Sequence, residues 1–260
     1  LTSDLGAAYA AQMKGVLSRF VPPGAIVDLT HDLPAHDVRE AAFLVLHMAS
    51  RFPPGTVHVV VVDPGVGSER AALAIECRDG SRLVGPDNGV LDPLRQHLGP
   101  RFAVRLDPGR FGGPPRVGTT FDGRDVFAPA AGRLALGVSV ARLGRPHPVQ
   151  RLTIPEGRAV PGGAEGEVLH IDRFGNLITS IASGIAPRDL RAVSVRLGRG
   201  RPFEAERTES YADAASDGPL LLASSFGALE IAIRLARASD RWKVRVGTPV
   251  KLTWAGQTRK

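Results

Sequence analysis

At 260 residues, with 43% apolar side chains, the chain can build one sizeable domain or two modest ones with real cores. Its apolar runs, such as Val57 to Val62 broken by His58, are too short to span a bilayer, no signal-peptide pattern opens the chain, and one cysteine, Cys77, leaves no internal disulfide or thiolate metal cluster, so a cytoplasmic, non-membrane protein is expected. The net charge of +7 is nearly all arginine, and its densest patch (Arg191, Arg196, Arg199, Arg201) has neither a basic run nor interleaved aromatics, so no nucleic-acid partner is expected.

In chain order, Ala25 to Leu29 predicts a short buried strand. Asp37 stands where an N-cap would, ahead of a helical face made by Val38, Ala41, Ala42, Val45 and Leu46. The β-branched run from Thr56 to Val62 predicts a strand covered on both sides. Ala71 to Glu76 and Phe102 to Leu106 predict further strands, and the alternation predicts an α/β layer with a largely parallel sheet. Asp125 is placed to cap a helix that tolerates Pro129 in its first turn. Pro and Gly concentrate between Gly144 and Gly166. The expected division is therefore an N-terminal α/β domain over 1–148, a linker over 149–165 and a smaller C-terminal β-barrel-like domain over 166–260. Strands are predicted in that last domain at Gly166 to Ile171, Leu177 to Ile181, Val193 to Leu197, Leu220 to Ala223 and Pro249 to Trp254.

Four segments carry candidate chemistry. In Val62-Asp63-Pro64-Gly65-Val66-Gly67-Ser68-Glu69-Arg70 an acid ends a buried strand, a tight glycine loop follows, and an arginine closes it. Ligands of open α/β sheets gather at such strand ends, and glycine lets backbone approach them. The spacing equally suits an ordinary turn with a structural Asp–Arg pair. Thr119 to Pro129 reads as a capped helix start or a site loop, and Leu83 to Gly89 as a turn whose Asn-Gly needs positive φ. Ile171-Asp172-Arg173-Phe174-Gly175-Asn176 sets an acid, an aromatic and an amide at a strand end, either a β-turn or a purine-reading loop.

In order, these segments resemble one family. Ser3-Asp4-Leu5-Gly6, Gln12-Met13-Lys14-Gly15, Asp63-Pro64-Gly65-Val66-Gly67 with Arg70, and Pro86-Asp87-Asn88-Gly89 are followed by Thr120-Phe121-x-Gly123-Arg124-Asp125, Phe174-Gly175-Asn176 and the stretch from Ser225 to Ala232. Over nearly the whole chain this is similar to the S-adenosyl-L-methionine hydroxide adenosyltransferases, relatives of the fluorinase and chlorinase. The resemblance implies an α/β domain followed by a β domain, and a homotrimer with active sites between subunits. It also implies hydrolysis of S-adenosyl-L-methionine to adenosine and L-methionine with no metal or redox cofactor. Residue by residue, it implies Asp63 and Arg70 as catalytic, Asp4 at the ribose hydroxyls and Phe121 and Gly123 in the substrate-binding segment. It further implies Asp172 near the methionine amine, Phe174, Asn176 and Tyr211 at adenine, and Ser225 at the methionine carboxylate.

The chain departs from the pattern in three places. Asp122 occupies the family's histidine position, so we expect it to share or replace the base role. The loop between Gly6 and Lys14 is two residues shorter, and an acid near the amino-acid end of the substrate is missing. Phe226 stands where the halogenases carry Arg. Halogenation is the nearest alternative, although Asp63 falls where those enzymes have Tyr. A catalytically silent adenosine-binding protein and a basic RNA-binding module are the others.

Overall fold

In the computed structural model, which describes residues 1–112, 118–187 and 189–254, the chain divides into two units, Leu1–Ile154 and Pro155–Lys260. The last residues of the expected C-terminal domain, 255–260, lie outside the described residues.

The first unit runs β1 (Thr2–Ser3), α1 (Gly6–Leu17), α2 (Val38–Ala49), β2 (Val57–Val61), β3 (Ala72–Cys77), β4 (Arg82–Pro86), α3 (Asp92–His97), β5 (Pro100–Leu106), α4 (Ala128–Ala135) and β6 (Gly144–Pro146). Its six-stranded sheet has the order β1-β2-β4-β3-β5-β6. Pairs β1–β2 and β2–β4 are parallel; β3–β4, β3–β5 and β5–β6 are antiparallel. The sheet is thus mixed rather than largely parallel. The cause is local: Asp79 and Gly80 make a tight turn, with Ser81 N–H bonded to Asp79 Oδ1 at 2.9 Å and Gly80 at φ 85°, and a hairpin imposes antiparallel pairing.

The β-branched run is buried as β2, and its valines Val59 and Val61 pack with Val84, Val104, Phe127 and Leu134 in one core. Asp37 caps α2, accepting from Glu40 N–H at 2.9 Å. Capping of this kind contributes about 1 kcal/mol. The strand expected over residues 25–29 does not form. Pro23–Ala25 is a 3₁₀ turn, and the residues after it run beside β1, with Leu29 N–H bonded to Leu1 O at 3.0 Å and one isolated bridge, Thr2↔Thr30, in place of a ladder. Nor does Asp125 cap a helix. A π-helical turn, Gly123–Phe127, begins ahead of it and runs into α4, so Asp125 lies inside and buried, held by Arg124 Nε at 2.6 Å. Pro129 does sit in the first turn of α4.

The second unit comprises β7 (Arg158–Val160), β8 (Gly163–Ile171), β9 (Leu177–Ala182), β10 (Ala192–Leu197), β11 (Phe203–Arg207), β12 (Pro219–Ala223), β13 (Ala228–Ile233), α5 (Ala238–Trp242) and β14 (Pro249–Thr253). The order is β14-β10-β11-β12-β13-β9-β8-β7, and β14 also pairs with β8, closing a 7-strand barrel. Inward residues such as Val168, Ile181, Val195, Leu221, Ile231 and Leu252 fill it. Each such side chain is worth about 1.5–3 kcal/mol of burial. Within 149–165, β7 and the start of β8 pair as a hairpin around Gly162, at φ 67°. Strands β1, β4, β6, β7, β11 and β13 have no counterpart among the expected strands. Among the described residues no helix is long and apolar enough to cross a membrane.

Candidate active site

Asp4 and Asp63 follow neighbouring parallel strands, so both acids emerge at the same end of the sheet. Asp4 N–H bonds to Val61 O at 3.3 Å. The loop after β2 is tightly built: Val66 N–H returns to Asp63 O at 3.2 Å, and Ser68 Oγ donates to Gly65 O at 2.6 Å. Asn88 Nδ2 holds the Val62 carbonyl at 2.8 Å. Two glycines keep this loop tight. A Cβ on Gly65 would stand 3.3 Å from Arg70 Cγ, and Gly67 combines φ 81° with a close approach to Thr119 O.

This loop turns Arg70 back onto Asp63. Arg70 Nε donates to Asp63 Oδ1 at 2.9 Å and Nη2 to Asp63 Oδ2, a bidentate fork. The same Nη2 reaches Asp122 Oδ2 at 2.6 Å, and the guanidinium lies 5.4 Å from the Phe127 ring centroid. The side chains of Arg70, Asp63 and Asp122 are only 11%, 6% and 12% exposed. Burial alone works against the Arg70 charge, but bonding and Coulomb attraction from Asp63 and then Asp122 outweigh it and raise the Arg70 pKa. A cavity of about 390 Å³ opens onto it, lined by Gly67, Ser68, Arg70, Thr119 and Asp122 among others.

Asp4 is held by His36, which at φ 65° points its backbone N–H at Asp4 Oδ2, 3.2 Å away. Asp4 Oδ1 is buried and has no protein partner among the described residues. An orphaned buried carboxylate oxygen is costly, and a ligand hydroxyl would satisfy it. Phe121 packs edge-on against Tyr9, with ring centroids 5.1 Å apart. Gly123 is buried, and a Cβ there would come within 2.8 Å of Phe121 and 3.0 Å of Met13 Sδ, so packing accounts for its size.

The second unit carries its own cavity, about 970 Å³, lined by Asp172, Phe174, Asn176, Tyr211, Ser225 and Glu230 among others. Asp172 Oδ1 accepts from the Phe174 and Asn176 N–H groups, each at 2.9 Å, which shapes the loop. Phe174 is left 67% exposed. The chain therefore brings Asp172, Phe174, Asn176, Tyr211 and Ser225 to one cavity. It brings Asp63, Arg70 and Asp122 to one cluster in the other unit. Glu230, which accepts a bond from Tyr211, lines the same cavity and was not among the expected residues. Its signal was a lone acid in the otherwise apolar run from Ala228 to Ile233.

The architecture is a mixed α/β unit with acids at strand ends, followed by a closed barrel with an aromatic-lined cavity. Residues 1–144 match the SAM hydroxide adenosyltransferase N-terminal domain and residues 166–251 the C-terminal domain, so the chain belongs to the SAM hydroxide adenosyltransferase family. It is 38% identical to the (R)-S-adenosyl-L-methionine hydrolase of Salinispora tropica, over 97% of this chain and 96% of that protein. The protein of the same name from Thermus thermophilus is 39% identical over 94% of each. A solved structure of an uncharacterized conserved protein from Thermotoga maritima superposes with a TM-score of 0.89 at 31% identity, covering 97% of this chain and 98% of that one.

Proposed function

We propose that this chain hydrolyses S-adenosyl-L-methionine to adenosine and L-methionine. The observation that carries this reading is the Asp63–Arg70–Asp122 cluster, an arginine holding two nearly buried carboxylates beside a strand end. Sulfonium leaves as a neutral thioether, so no strong general acid is needed. What is needed is a water in line with the carbon–sulfur bond and an acceptor for its proton. A water oxygen bonds to the 5′ carbon as the carbon–sulfur pair withdraws onto sulfur, and the water proton passes to Asp63 or Asp122. Arg70 holds both carboxylates in place. Asp122 takes the place of the family's histidine and shares the base role.

Asp4 receives the ribose hydroxyls through its free Oδ1. Phe121 and Gly123 shape the same binding segment. Phe174, Tyr211 and Asn176 take adenine, Asp172 the methionine amine and Ser225 its carboxylate. Because these groups are divided between the two units, we propose a homotrimer in which neighbouring subunits complete each site. Mixing inactive Asp63→Asn and Asn176→Ala subunits should then restore activity in mixed trimers. The free thiol of Cys77 fits a reducing compartment such as the cytoplasm.

Asp63 stands where the halogenases have Tyr, and a carboxylate there repels a halide, which argues against halogenation. Turnover in ¹⁸O-labelled water, followed by mass analysis, tests the reading. Label in the adenosine 5′ hydroxyl is the expected result, and no adenosine at any pH would overturn it. Both sulfur configurations of the substrate should be offered, since L already fixes the α-carbon and the (R) in the relatives' name refers to sulfur.

A further inference from the structure

Asn176 Nδ2 serves two acceptors, Asp172 Oδ2 at 3.0 Å and Tyr211 Oη at 3.1 Å. Tyr211 donates its own hydroxyl hydrogen to Glu230 Oε1. A phenol has one hydrogen, so once it is committed to Glu230 the oxygen meets Asn176 as an acceptor. Both amide hydrogens of Asn176 are then used, and Oδ1 alone remains, without a partner among the described residues. Asn176 lines the large cavity of the second unit.

The source of this polarity is Glu230. Strand alternation sends Leu229, Ile231 and Ile233 into the barrel core and turns Glu230 to the other face, where it is only 6% exposed. A carboxylate so placed is costly without a donor, and Tyr211 supplies one. Burial, then the Glu230 bond, raises the Tyr211 pKa, so the phenol keeps its hydrogen.

We propose that Glu230 is a positioning residue that sets the hydrogen-bond direction of this relay, so that Asn176 presents an acceptor and selects a purine with an exocyclic amino group over one with a carbonyl there. The proposal rests on the adenosyl substrate assigned above.

The test compares S-adenosyl- with S-inosyl-methionine in the full-length protein and in Glu230→Gln, Tyr211→Phe and the double variant. A glutamine can donate to Tyr211 Oη, which frees the phenol hydrogen to face Asn176 and lets the amide turn over. Discrimination in kcat/KM should fall about tenfold or more in each single variant, through a higher KM for the adenosyl substrate rather than through kcat. The double variant should be no worse than either single one. A lower melting temperature with discrimination intact, or additive losses, would overturn the proposal and leave Glu230 a structural residue. If the wild type releases no adenosine, the hydrolase reading fails on its own. Calorimetric titration with adenosine and inosine then reads the same preference, and equal affinity for both in the wild type would overturn the proposal.

Discussion

Arg70 Nη2 donates to Asp122 Oδ2 at 2.6 Å across 52 positions of sequence, so the strand-end loop and the π-helical turn are tied by one guanidinium. The tie depends on the planar fork, because Nε and Nη2 also grip both oxygens of Asp63.

Arg70→Lys should therefore keep the charge but lose the fork. We expect a folded protein with kcat/KM reduced about 100-fold or more. Arg70→Ala should cost about 3–5 kcal/mol by removing both donors of the fork from the nearly buried Asp63 carboxylate. Asp122→Asn should lower turnover and alter its pH profile. Denaturant titration and steady-state assays read all three, and an unchanged profile in Asp122→Asn would remove Asp122 from the base role.

His58 lies on β2, and burial lowers its pKa to about 4 from 6.5. Between these values the unfolded chain binds the proton that the folded chain refuses. Stability is therefore full above pH 6.5 and falls toward pH 4. The slope is at most about 1.4 kcal/mol per pH unit. Melting curves from pH 7 to 4.5 should show a smaller acid loss in His58→Gln than in the wild type.

Leu235 has φ 56° and a side chain 98% exposed, in the turn closed by Ala236 N–H to Ile233 O. A left-handed leucine costs about 1–2 kcal/mol, and glycine returns part of that gain as chain entropy. Leu235→Gly should raise the melting temperature by about 1–3 °C. A fall would mean that another copy of the chain covers the side chain.

Cys77 is buried on β3, and burial pushes its thiol up to about 12. It should resist Ellman's reagent in the native protein at pH 8 and react within minutes in denaturant. Fast native labelling would place it in an opening segment.

The pattern of side chains made some features readable and concealed others. Asp37 and the valine run of β2 follow from local chemistry, and the structure bears both out. The mixed sheet does not, because the hairpin at Gly80 decides direction and no periodicity records it. β13 was hidden because all of Ala228–Ile233 is buried, so no alternation shows. The Asp63–Arg70 spacing was visible as a strand-end loop. Asp122 entered only by resemblance, since pairing over so long a separation leaves no local trace. Glu230 was concealed by the apolar company it keeps.

The closing pair of the barrel sets an order on its formation. β8, among the first strands of the second unit to leave the ribosome, waits for β14, which pairs Pro249 with Glu167 and Thr253 with Gly163. Until then both β8 and β10 present open edges. Long-range closure of this kind is slow, so during synthesis the second unit remains the vulnerable half while the first already has its whole chain available.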